Sequence, residues 1–236
     1  MARVHTKESR VLVNEFSTSC DLTGYGLTHS RNMSDVTTLC DEGHTFTPGL
    51  LSGSLSLRGV FDATAGSFYA EAKDSVGVDD GYLVLVAPAG YTVGAPAFLT
   101  VSDLSDFSVD ASVTDAITVQ ITAAPDNGVD WGVTLHALTA ETADGDGSTV
   151  DQAAATTNGG VADLHVTAFS GFSGVVFKVQ HSSNGSAWSD LITFTTAAAA
   201  TSEHKTVTGT INRYVRCTWD VTGTGSATFV IGFARR

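Results

Sequence analysis

The 236-residue sequence predicts a mainly β fold: a sandwich or barrel unit with a short flanking helix, followed by a second, smaller C-terminal β-sandwich. Three observations point there. Gly contributes 24 residues beside visibly abundant Ser, Thr and Val, a balance that favours strands and turns over helices. Residues 51–61 alternate strictly, with Leu51, Gly53, Leu55, Leu57, Gly59 and Phe61 on one side and Ser52, Ser54, Ser56 and Arg58 on the other. Such a period of two belongs to an antiparallel strand with one buried and one wetted face. Turn-forming residues then punctuate the chain at strand-length intervals.

Taken in order, residues 1–19 read as an N-terminal arm, with Val11, Leu12 and Val13 apolar enough to be ordered by a partner. Residues 20–140 form the first β unit. Within it, residues 30–40 space Met33, Val36, Thr37 and Cys40 at helical intervals and predict a short helix. Pro48 and Gly49 predict a turn before the alternating strand. Residues 63–80 read as a polar helix or loop, and 79–81 (Asp-Asp-Gly) as a turn. The run Tyr82-Leu83-Val84-Leu85-Val86-Ala87 reads as a central strand stopped by Pro88. A strand follows at 97–101. Residues 102–121 alternate acids and hydroxyls with apolar side chains, and the turn signal at 126–132 returns the chain as a strand at 133–138, completing a long acid-faced hairpin.

Residues 141–160 lose all apolar periodicity and read as a linker. Residues 161–236 carry six candidate strands: 163–169, 175–182, 190–195, 203–207, 214–222 and 227–234. Asn184 and Gly185 mark a hairpin turn, and Phe177, Trp188, Phe194, Trp219, Phe229 and Phe233 supply candidate core aromatics. Trp188, beside that turn, is also the one candidate glycan contact.

The formal net charge of −13 argues against general affinity for nucleic acid or anionic membranes. Its placement is informative: residues 61–150 hold one basic residue against 14 acids, and the rest of the chain is close to neutral. The acids Asp103, Asp106, Asp110 and Asp115 recur along a strand pattern. Repeated acids give a charged surface rather than a buried catalytic dyad. If copies of the sheet closed into a ring, these side chains would face a lumen and repel a polyanion. Arg58 is the only Lys or Arg between Asn32 and Ala72, and is expected to pair with an acid of a neighbouring subunit.

No reaction is legible. The chain carries no nucleophile elbow, P-loop or dinucleotide fingerprint, so neither an enzyme nor a cofactor is expected. Asp144 to Ser148 begins like a calcium loop, but Thr149 and Ala155 stand where an EF-hand needs Gly and Glu. Three cysteines (Cys20, Cys40, Cys217) and seven scattered histidines lack metal-ligand spacing. The opening residues lack an apolar signal core, and no apolar run is long enough to span a bilayer, so a soluble cytoplasmic product is expected.

The segments PGLLSGSLSLRGVFD, GYLVLVAPAG and GVDWGVTLHAL, in this order, resemble the major tail (tail tube) proteins of long-tailed phages of actinobacteria over residues 10–140. FKVQHSSNGSAWSDL, RYVRCTWDVTG and ATFVIGFAR resemble accessory β-domains on the outside of phage tails and heads, and more loosely discoidin-type carbohydrate-binding sandwiches. The resemblance implies a tail-tube-type β-sandwich or barrel that self-assembles into stacked hexameric rings, contacts other tail proteins and passes DNA without binding it specifically. It implies a place in the virion tail, after assembly in the host cytoplasm. The arm and a loop within residues 27–48 or 63–80 would bridge rings. The alternatives are a head decoration protein, or a carbohydrate-binding surface module centred on Trp188.

Overall fold

A computed structural model describes residues 6–79 and 81–236. The first five residues of the expected arm, and Asp80 of the turn expected at 79–81, lie outside the described residues. The chain is mainly β. After a 3-10 turn (Thr6–Glu8) come β1 (Arg10–Val13), β2 (Phe16–Ser17), β3 (Leu22–Asp35), β4 (Phe46–Val60), helix α1 (Phe68–Ala72), β5 (Tyr82–Ala87), β6 (Pro96–Asp110), β7 (Thr118–Pro125) and β8 (Asp130–Glu141). The remainder folds as β9 (Gly145–Asp146), β10 (Val150–Asp151), β11 (Gly160–Ser182), β12 (Ser189–Thr193), β13 (Thr201–Val207) and β14 (Tyr214–Arg235).

Antiparallel pairing joins these strands along the path β12-β11-β14-β8-β6-β5-β1-β2. β7 branches from β6, β4 pairs with β7, and β3 pairs with β4. β5 reads as an unbroken apolar run because every one of its residues is buried between β1 and β6. One core gathers Val13, Leu55, Leu57, Phe68, Val84, Leu104 and Ile121. A second gathers Phe177, Phe194, Trp219, Phe229 and Phe233. The two meet along an apolar seam, where Leu12, Leu85 and Ala87 pack on Val230, and Ala97 and Leu99 on Val161 and Ala234. The flanking helix is α1. Ser67 caps it by accepting a hydrogen bond from the Ala70 N–H at 3.2 Å, and Phe68 and Ala72, one turn apart, are its buried face.

Several expectations change. Residues 30–40 form no helix: they are the end of β3 and the tip of its hairpin with β4. Met33 is half exposed, so no apolar helical face is buried there to favour one, whereas β3 pairs with β4 along its length. Pro48 and Gly49 lie within β4 rather than in a turn, next to a register shift between Arg31 and Met33. Val11, Leu12 and Val13 need no neighbour to order them. They are buried in β1, in register with Val86, Leu85 and Val84 of the same chain.

In the C-terminal part, strands expected at 163–169 and 175–182 are one strand, β11, and those at 214–222 and 227–234 are one strand, β14. The intervening glycines act as bulges, not turns: Gly171 (φ 76°) and Gly223 (φ 95°) sit where the β11–β14 register shifts. The segment at 141–160 is tied down along its length. β9 and β10 pair with β14, the Trp219 indole donates to the Ala143 carbonyl at 2.9 Å, and Arg213 forms a bidentate pair with Asp151. The turn expected at 126–132 falls at Asn127 (φ 55°) and Gly128 (φ 80°), but it closes no hairpin: β7 pairs with β4 and β6, and β8 with β6 and β14, so the expected acid-faced hairpin forms instead between β6 and β7, across residues 111–117.

Candidate functional site

The candidate surface is the outer face of the sheet β3-β4-β7-β6. Its register aligns whole rows of residues. Gly24, Arg58, Gln120 and Ser108 form one row, and Gly26, Ser56, Thr122 and Asp106 the next but one. Val60, Thr118 and Asp110 form a third. A bulge at Ser105, whose hydroxyl donates to the Thr122 carbonyl at 3.0 Å, resets the alternation of β6. Asp103, opposite Ala124, therefore shares the face of Asp106 and Asp110. Were the strand regular through Ser105, Asp103 and Asp106, three positions apart, would point to opposite sides.

This face is mostly polar, with Val60 and Ala124 as apolar exceptions. Beyond the row of Ser54, the hairpin continues it with cross-strand hydroxyl pairs, Thr28 with Ser54 at 2.9 Å and Ser30 with Ser52 at 2.8 Å. The opposite face carries Leu55, Leu57, Val119, Ile121, Ala123 and Leu104, all buried. Of the sequence-expected residues, Arg58, Asp103, Asp106 and Asp110 are thus brought to one surface. Asp115 is not on it; it is exposed in the turn between β6 and β7, where Thr114 donates to its carboxylate at 3.3 Å.

The two sides of this sheet end in open edges. Among the described residues, nothing pairs with the outer edge of β3. On the far side, β5 pairs with β6 only as far as Ser102, and one parallel bridge from Val76 covers Leu104, with the Gly77 N–H donating to the Leu104 carbonyl at 3.0 Å. Beyond that bridge, no strand among the described residues pairs with this edge of β6 from Ser105 to Asp110. Free edges of this length are templates for pairing with another chain. Above the edges the β3–β4 hairpin projects, and its Leu39 and Leu50 are 107% and 86% exposed. Apolar side chains held in water on a projecting hairpin mark a contact surface.

Elsewhere the expected sites look different. Trp188 is half-buried outside the core rather than within it, and the Arg216 guanidinium lies over its ring at 4.5 Å. Gln180 and Asp146 in turn hold Arg216. Asp144 accepts from the Val221 N–H at 2.7 Å. Cys20 and Cys40 are exposed and free, whereas burial pushes the Cys217 thiol up to about 12.

Sequence reasoning missed a polar cluster at the joint of the two cores. A cavity of about 470 Å³ there is lined by residues including Asn14, Asp130, Glu203, His204 and Arg236. Behind it, His204 Nδ1 bonds the buried Asp163 carboxylate at 2.6 Å, and His165 Nδ1 donates to the Asn14 carbonyl at 2.5 Å. Arg236 makes a bidentate pair with Asp130. Burial opposes charge on His204, but the hydrogen bond and charge of Asp163 outweigh it and raise its pKa. Burial lowers that of His165. The available signal was Asp163 and His165, alternate residues interrupting an otherwise apolar strand.

No protein-family model matches the chain, and no curated protein matches it. Solved structures similar to it include a chain of the virion of a native gene transfer agent particle, 15% identical, covering 55% of this chain and 98% of that one with a TM-score of 0.41. The SPP1 tail tube protein is 8% identical over 56% of this chain and 80% of its own, with a TM-score of 0.44. The SPP1 Dit protein, a hub of the adsorption apparatus, is 9% identical over 96% of this chain and 98% of its own, with a TM-score of 0.36.

Proposed function

We propose that this chain is a virion tail structural protein whose copies join edge to edge into rings, hexameric and stacked, that form a tube for DNA. The observation that carries the reading is the sheet β3-β4-β7-β6, open at both lateral edges and split into one apolar and one hydroxyl- and acid-rich face. The strands alternate in direction. The open edge of β6 in one copy is therefore antiparallel to the open edge of β3 in a copy related by rotation, and pairing them repeats head to tail until it closes. Closure pairs these two open edges and turns the polar face inward.

Three acids and one arginine per copy then line the lumen, a surface that repels phosphate and leaves DNA free to slide. Arg58, two strands from Asp106 and Asp110 of its own copy, stands equally far from those acids in the neighbour, and bridges to them in the ring. The projecting hairpin, with Leu39 exposed at its tip and Leu50 exposed on β4, contacts the next ring in the stack. A glycan-binding role finds less support, because Arg216 covers one face of the Trp188 ring.

Negative-stain microscopy of the purified protein tests the reading. Rings with six-fold symmetry, or tubes built from them, are expected. Discrete trimers, or monomers at every concentration, would overturn it.

A further inference from the structure

We propose that the apolar groove beneath the free edge of β3 receives the segment 76–78 of the adjacent copy, an inference that rests on the ring reading above. The groove, about 210 Å³ in volume, lies between the underside of β3 and the strands β6 and β8. Tyr25, Leu27, Phe98, Val129 and Trp131 line it, with His29 at its rim. Phe98 packs edge-on against Trp131 at 5.0 Å, and His29 is fixed by accepting the Val129 N–H at 3.2 Å. The walls are thus built by the chain itself. Trp131 nevertheless remains 65% exposed, the largest side chain that the fold leaves so uncovered. An aromatic on a firm apolar floor is the usual anchor of a protein interface.

The occupant follows from the register. One row crosses the whole sheet: Leu27 of β3 pairs with Leu55 of β4, Leu55 with Ala123 of β7, Ala123 with Leu104 of β6, and Leu104 with Val76. The row is apolar from end to end. Its middle residues are buried, whereas Val76 at one end is about half exposed, and Val78 beside it likewise. At the other end Leu27 opens into the groove. When residues 105–110 of β6 in one copy pair with β3 of the next, Val76 and Val78, held on the same edge beside Leu104, lie in line with the neighbour's β3 and against its apolar underside. The groove extends along β3 from Tyr25 to His29, which accommodates the stagger that closing a sheet into a ring imposes. Valines that project from one lateral side meet a hollow on the other. This is the heterologous complementarity that a cyclic assembly requires. The contact also lies on the outer side of the wall, where it seals the seam away from the acid-lined face.

The test uses the full chain with Cys20 and Cys40 replaced by Ser, leaving only the buried Cys217. Val76→Cys and His29→Cys are introduced together, and a short bismaleimide crosslinker is added. Along the sheet the two positions are four strand spacings apart, and the mixture of single-cysteine chains decides whether a crosslink joins different copies. A ladder of linked species ending at the ring size is expected, and an equal mixture of the two single-cysteine chains should stop at linked dimers. Val76→Asp should abolish rings while leaving the far-ultraviolet circular dichroism of the monomer unchanged. Rings that form without a ladder, or that Val76→Asp leaves intact, would overturn the groove contact and leave the ring standing. Failure of the unmodified protein to form rings would overturn both.

Discussion

At the residue scale, His136, Trp219, Phe177 and Phe229 show how the C-terminal core is held. The Phe229 ring stacks on His136 at 4.0 Å, tilts against Phe177 at 4.6 Å and meets Trp219 edge-on at 5.4 Å. Phe229→Ala empties that centre and should cost about 3–5 kcal/mol in urea denaturation, with the m-value unchanged. The buried histidines give stability a pH optimum. His165 has a folded pKa lowered by burial, so the unfolded chain takes up the proton more readily, and stability falls as pH drops below about 6.5. His136, also lowered chiefly by burial, adds to the same acid limb. His204 works in the opposite sense: its raised pKa means that its pairing with Asp163 is fully present below about pH 6.5 and is lost as pH rises through the raised value. The thermal midpoint measured against pH should therefore peak near neutrality, and His165→Gln should flatten the acid side. An unchanged acid side would refute that assignment. Residues of this kind were partly legible. Phe177, Phe229 and Phe233 were recognisable as core from sequence, but the pairing of Asp163 with His204, 41 positions apart, depends on β11 meeting β13, which no local pattern encodes.

At the scale of elements, local alternation worked where one face is buried and failed where both are wet. The strand at 51–61 was readable because Leu55 and Leu57 face a core. The stretch 30–40 carries helical spacing yet forms a hairpin, because a projecting hairpin buries neither face and leaves its apolar residues free of the period that packing imposes. The long strands β11 and β14 were each read as two, since Gly-rich bulges and turns share a composition. The bulge at Ser105, which decides the face of Asp103, leaves no signature of its own. The hairpin carries a direct expectation. Leu39→Ser with Leu50→Ser should change monomer stability by no more than about 0.5 kcal/mol, since both side chains already stand in water. The same pair should shorten tubes to isolated rings in electron micrographs. Tubes of normal length would remove the hairpin from the stacking contact.

At the scale of the whole molecule, the two cores are joined by one continuous sheet and an apolar seam rather than hanging on a tether. β6 pairs with β8, β8 with β14, and Val230 packs on Leu12 and Leu85. Calorimetry should accordingly record one cooperative transition for the full chain; two well-separated transitions would show that the seam transmits little. The division of charge also resolves at this scale. Three of the 14 acids of the middle stretch stand on the polar face of one sheet. That concentration was visible in the sequence, but the open edges of β3 and β6 were not, because an edge is defined by the strand that fails to arrive. The most direct test is amide hydrogen exchange, compared between assembled and unassembled protein, over residues 22–30 of β3 and 105–110 of β6. Protection gained at both edges together on assembly is the expected result. Particles that form while either edge exchanges as fast as in the monomer would contradict edge-to-edge closure.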